Sequence, residues 1–214
     1  GAFADATRAA LDQLYVIEEP RLRSAAVLDV ASALSHRDVD LDVTNLLQQA
    51  IPAAAEIGNP YLQAARYARI SELFRMLEDL ESARRLERKS IETVRSAQEQ
   101  LVQVDELDAL SSVVAHLRRR GLIGEAVELA RMIPLRSQRA LELARIAREA
   151  QLRGEFNRSR EILTEAERFL NEAERTAVET ITAQAVLARL YEALGEAGMA
   201  EGRATVVRGY LDGA

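Results

Sequence analysis

"YEALGEAGMAEGRA", residues 191–204, carries Gly195, Gly198 and Gly202 in one short stretch. Glycines this close together either cradle a phosphate or end one helix and admit the next. The spacing fits neither G-x-G-x-x-G nor G-x-x-x-x-G-K-[ST], no strand-like stretch precedes it, and no lysine follows to meet a phosphate. Gly121 and Gly154 stand in comparable settings, each between two stretches of helical period. Glycine is favoured where a helix ends because it adopts the left-handed backbone without a Cβ penalty. Residues 191–204 therefore read as a turn between two packed helices. Gly202 then falls early in the second helix, where it costs about 1 kcal/mol against alanine. Close approach of a neighbouring helix is the one reason for it that the sequence offers.

Composition agrees. The chain has 214 residues, of which 48% are hydrophobic and 29% charged, a globular balance. It has only four prolines and ten glycines and 4% aromatics. Alanine, leucine, arginine and glutamate dominate, all strong helix formers. No strand-like alternation of Val, Ile and Thr is found, and all-α is the fold class supported. No run approaches the ~18 apolar residues of a membrane span, which predicts a soluble chain without membrane insertion. The absence of cysteine excludes disulfides, thiol chemistry and cysteine-ligated zinc, and leaves the compartment open. A net charge of −6 argues against a non-specific nucleic-acid binder. The basic residues are nearly all arginine, Lys89 being the only lysine.

Working outward, a pattern repeats. "PRLRSAAVLDVASALSHR" (20–37) returns forty residues later as "PYLQAARYARISELFRML" (60–77). Leu22 then meets Leu62, Ala25 meets Ala65, Val30 meets Ile70 and Ala33 meets Leu73. Three further copies follow at less regular spacing, each a helix, a short turn and a second helix. Leu110, Val114 and Leu117 share one helical face in the third, and Leu143, Ala147 and Ala150 in the fourth. Asn171 with Glu174 has the pattern of a helix start, and Ser137 that of a cap. Residues 3–19 predict one more helix, ending before Pro20. It reads as the second half of a unit whose first half lies upstream. The expected organisation is a single repeat domain over 1–214, with units at 1–19, 20–59, 60–104, 105–134, 135–171 and 172–214.

These copies resemble the tetratricopeptide repeat. The fifth carries the motif through Ala188, Tyr191, Leu194, Gly195, Ala197, Ala200, Ala204 and Val207. The second carries it through Tyr67, Ile70, Ser71, Phe74, Leu77, Leu80 and Ala83, and the fourth through Leu143, Ala147, Gly154, Phe156, Ser159, Leu163 and Ala166. The third matches through Val114, Leu117, Gly121, Ile123, Ala126 and Ala130. The resemblance implies a right-handed superhelix of antiparallel helix pairs, a TPR-like α-solenoid. Small residues such as Ala188 are expected at close helix contacts, so Ala188→Leu is expected to overpack.

Signals for chemistry are weak. Asp38, Asp40 and Asp42 alternate as in a calcium loop, but Val43 stands where the sharp-turn glycine is needed and Gln49 where the bidentate glutamate belongs. A solvated loop capping the next helix is the reading preferred, and no metal or cofactor is expected. His36 and His116 are expected at the surface or in a groove. No nucleophile elbow or base partner accompanies Ser111 and Ser112.

In tetratricopeptide arrays the first helix of each pair lines the concave face. The resemblance therefore implies a groove lined by Glu72, Arg75 and Met76 from the second copy, and by Asp108, Ser111, Arg118 and Arg119 from the third. Arg148 and Gln151 come from the fourth copy, and Arg189 and Glu192 from the fifth. The run 118–120 has its own structural explanation, since cations near a helix C-terminus are favoured by the helix dipole. An arginine-lined groove suits an acidic peptide or terminal carboxylate through forked hydrogen bonds. The lysine and asparagine set of chaperone-binding members is absent, Ser111 and Ala144 standing where lysines would. The function expected is a non-catalytic protein or peptide scaffold. The alternative is a self-assembling structural module, homo-oligomeric through its terminal helices, or a regulatory fragment of a larger protein.

Overall fold

The computed structural model describes residues 13, 16–35, 43–97, 103–171 and 178–212. All ten helices of eight residues or more among them are α-helical, and no strand occurs among the described residues. They are α1 (Pro20–Ser35), α2 (Val43–Ala55), α3 (Pro60–Met76), α4 (Leu80–Ser96), α5 (Val104–Arg120), α6 (Ile123–Arg131), α7 (Arg136–Leu152), α8 (Phe156–Asn171), α9 (Val178–Ala193) and α10 (Ala197–Asp212). The chain packs as two compact units, Gly1–Val113 and Val114–Ala214, the division falling inside α5.

In the first unit α1 pairs with α2 and α3 with α4, and α1 also packs on α3. Local chemistry sets the starts. Pro20 follows Glu19, whose carboxylate accepts from the amides of Arg21 (3.0 Å) and Leu22 (2.8 Å). Forty residues on, Pro60 follows Asn59, whose side-chain oxygen accepts from Tyr61 and Leu62, both at 3.0 Å. Both are side-chain caps ahead of a proline already set for the first turn. The forty-residue offset therefore holds, but the buried positions that obey it are not those matched by letter. Ser24 and Ala64, Val27 and Tyr67, Leu28 and Ala68, Ala31 and Ser71, and Leu34 and Phe74 are each buried in both copies. Leu22 and Ala33 are exposed instead. Val27, Leu28, Ala31, Leu47, Tyr67, Phe74 and Leu86 meet in one core.

In the second unit α7 pairs with α8 and α9 with α10, and α9 packs on α7. The glycines behave as expected. Gly121, Gly154 and Gly195 have φ of 75°, 81° and 76°. After each one the next amide reaches back five residues: Leu122 to the Leu117 carbonyl (3.0 Å), Glu155 to Ala150 (2.9 Å) and Glu196 to Tyr191 (2.8 Å). This is the Schellman closure of a helix. The first unit has the same turn without glycine. Glu78 takes φ 63°, and the Asp79 amide donates to the Phe74 carbonyl at 3.0 Å.

Several local expectations are corrected. Residues 16–19, expected as helix, form the turn and bend that lead into α1; the rest of that helix, apart from residue 13, lies outside the described residues, as do His36, Asp38, Asp40, Asp42 and Glu174. Asn171 is the last residue of α8 and opens nothing that is described. Ser137 sits inside the first turn of α7; Leu135 holds the cap position and makes no side-chain bond there. His116 is buried, at 3% exposure, because α5 turns that side inward together with Val113 and Leu117. Phe156, expected to pack, is 53% exposed at the first residue of α8. A Cβ on Gly202 would meet nothing within 4 Å, so no close helix approach explains that glycine.

Candidate functional site

In the first unit a cleft of about 350 Å³ opens between α1, α3 and α5. Leu62, Ala65, Arg66 and Arg69 of α3 form one wall at the i, i+3, i+4, i+7 spacing of a single helical stripe. Arg21 enters from α1, and Asp105, Ala109 and Ser112 from α5. Two of the three arginines are already held. Arg21 bonds Asp105 at 2.8 Å, and Arg69 bonds Glu72 at 2.9 Å and the Ser32 hydroxyl at 3.3 Å. Arg66 is half-buried and makes no hydrogen bond or ion pair among the described residues. Its burial pushes the guanidinium pKa down; Asp29 and Glu19 oppose that shift and Arg21 adds to it.

The groove residues expected from the sequence in this stretch of chain are not among those that line this cleft. Glu72 serves Arg69. Arg75 turns towards α4, where it bonds Glu87 at 2.9 Å with that carboxylate side chain only 8% exposed. Met76 is exposed at the last turn of α3. Asp108 is exposed and Ser111 half-buried on α5.

In the second unit Arg118 is half-buried, and burial pushes its pKa down while Glu142 and Glu149 pull it up. Glu142 is itself buried and takes a bond of 2.6 Å from Arg145. Arg119 is exposed, and its carbonyl accepts from Arg153 at 3.3 Å. Gln151 is half-exposed near the end of α7. Arg148 is exposed and makes no hydrogen bond or ion pair among the described residues. Arg189 and Glu192 do come together. They flank a groove of about 620 Å³ between α9 and α10, floored by Ala185, Ala188, Ala200, Ala204 and Val207. Ala188 therefore borders open space, and the expected overpacking by leucine is corrected: the groove leaves room for the larger side chain.

Sequence reasoning missed Arg21 and Arg66. The stripe 62, 65, 66, 69 was readable as a helical face, but nothing in the letters says which face of α3 opens to a cleft. No group of side chains among the described residues could hold a metal ion. Among the described residues no helix is long and apolar enough to cross a membrane.

Paired helices repeated along the chain, with the same left-handed turn at Glu78, Gly121, Gly154 and Gly195, define an all-α, TPR-like helical-repeat fold. The solved structures similar to it include a Podospora anserina protein described as a kinesin light chain of nearly identical TPR-like repeats. It is 18% identical over 91% of this chain and 97% of that one, with a TM-score of 0.54. Ton1535 from Thermococcus onnurineus NA1 is 14% identical over 99% of this chain and 62% of that one, with a TM-score of 0.47. No protein-family profile matches the chain, and no curated protein does. The likeness is one of fold.

Proposed function

We propose that the chain is a non-catalytic protein-interaction scaffold that takes an acidic peptide or protein segment on the exposed faces of its first helices. The observation that carries this reading is Arg148 on α7 and Arg189 on α9, two exposed guanidiniums with no hydrogen bond or ion pair among the described residues. A guanidinium presents a planar fork of donors that matches a carboxylate, and it stays charged at any physiological pH. Arg118, Arg119, Gln151 and Glu192 border the same helices. Helical-repeat arrays commonly offer extended binding surfaces.

The test is the triple variant R119E/R148E/R189E, compared with the wild type in capture of partners from the native organism. The expected result is loss of a partner with an unchanged circular-dichroism melt. Recovery of the same partners by the variant overturns the reading. A second reading, self-assembly through the terminal helix pair, is favoured by the half-covered alanines of the α9–α10 groove. Strictly monomeric sedimentation at high concentration overturns that one.

A further inference from the structure

We infer that the groove between α9 and α10 is the interface of a two-fold symmetric dimer of this chain. In it α10 of each copy lies antiparallel to α10 of the other, and Glu201 of each copy pairs with the partner's Arg208. The inference rests on the self-assembly reading above and adds the symmetry, the register and the residues that set them.

The second unit holds an internal precedent for what this groove accepts. The step from Gly154 to Gly195 is 41 residues. The same step carries Ala144, Ala147, Ser159, Leu163 and Ala166 of the α7–α8 pair onto Ala185, Ala188, Ala200, Ala204 and Val207. The first set is buried, at 0–1% exposure, where α9 packs on α7 and α8. The second set is half-buried and floors the open groove. A surface of small side chains at this place in the repeat therefore receives a helix in one pair and none in the next. Covering it removes apolar area from water, which favours association.

Charge decides which helix covers it. In the α7–α8 pair Arg160 bonds Glu196 at 3.1 Å, and Glu167 accepts from Arg203 of α10. The 41-residue step sets Glu201 in the place of Arg160 and Arg208 in the place of Glu167, so the two signs are exchanged. A second α9–α10 pair added in the same repeat register would bring Glu196 against Glu201 and Arg203 against Arg208. Like charges at both ends oppose that open-ended stacking. The exchanged signs suit α10 itself, turned end for end. Glu201 and Arg208 stand seven residues apart, two helical turns, on one side of α10. A two-fold axis near Ala204 and Thr205 then brings each Glu201 to the partner's Arg208. Both side chains are exposed and neither has an ion-pair partner among the described residues; Arg208 reaches only the Thr205 hydroxyl, at 3.3 Å. Ala204 and Val207 lie between the two charges and supply the apolar contact.

Sedimentation equilibrium of the whole chain over a dilution series tests this, with circular dichroism to show that each variant is folded. Wild type should give a monomer–dimer equilibrium and no larger species. Glu201→Arg and Arg208→Glu each turn two attractive contacts into two repulsive ones, because the axis repeats every contact. Each should weaken the dimer at least about tenfold. The double exchange E201R/R208E brings opposite charges together again and should return the dissociation constant to within about threefold of wild type. An equal mixture of the two single variants should form a heterodimer that neither forms alone, since one copy then offers two arginines and the other two glutamates. A dimer indifferent to the single changes overturns the inference and leaves self-assembly standing. So does a double exchange as weak as the singles, the absence of a heterodimer in the mixture, or growth beyond a dimer. A wild type that stays monomeric at high concentration overturns the inference together with the self-assembly reading. Arg119, Arg148 and Arg189 are untouched in these variants, so the partner-capture test is read independently.

Discussion

The Ser90 hydroxyl on α4 donates to the Ala64 carbonyl on α3 at 2.8 Å, in the buried seam of that helix pair. The relation is returned by Ser71 on α3, whose hydroxyl donates to the Ala83 carbonyl on α4, also at 2.8 Å. Each serine combines a small volume, which lets the backbones approach, with a bond that ties them together. Ser90→Ala removes the bond and keeps the volume, and should cost about 1 kcal/mol. Ser90→Val should cost more, by overpacking the same contact. Urea titrations should show both as lowered midpoints at constant slope. A neutral Ser90→Ala would mean that the seam is held by packing alone.

The left-handed turns predict substitutions of opposite sign. Gly154 has φ 81° and open space around its Cβ position, so Gly154→Ala carries backbone strain alone, about 1 kcal/mol destabilising. Glu78 already bears that strain, at φ 63°, and Glu78→Gly should stabilise by up to about 1 kcal/mol. Gly202 lies inside α10 with nothing within 4 Å of an added Cβ. Gly202→Ala should therefore stabilise by up to about 1 kcal/mol. Thermal melts of the three single variants check the signs.

Two alanines at like places in their repeats should respond differently to enlargement. Ala147 on α7 is fully buried, and Ala147→Leu should cost about 1–3 kcal/mol. Ala188 on α9 faces the open groove, and Ala188→Leu should change stability by less than about 0.5 kcal/mol. Equal losses in the two melts would place the groove face of α9 under cover.

Arg131 grips Glu165 with two bonds of 2.8 Å, and this holds the Glu165 carboxyl below its ordinary value of 4.5. A carboxyl that binds its proton less tightly when folded adds stability that is present above that ordinary value. The contribution is lost as pH falls through the lower folded value. Because Arg131 is 57% exposed, solvent screening limits it to at most about 1 kcal/mol. Glu165→Gln should thus be less stable than wild type at pH 7. The gap should close as the acid range below 4.5 is entered. A gap that persists undiminished in acid would assign the loss to packing.

Helical periodicity, small residues at regular spacing and glycine between helical stretches were enough to define paired helices and to place the turns at 121, 154 and 195. These are properties of short stretches of chain: a 3.6-residue period groups side chains into faces, and a missing Cβ permits one backbone state. The turn at Glu78 escaped, because no letter there announces a left-handed residue, and only the closing bond from Asp79 to Phe74 reveals it. The residues that line the cleft escaped for a different reason. Periodicity says which residues of a helix travel together, but not how that helix is rotated about its own axis. That rotation is settled by contacts with residues far away in the chain. It turned Arg75 inward to Glu87, buried His116, and left Arg66 facing the cleft between α1 and α5.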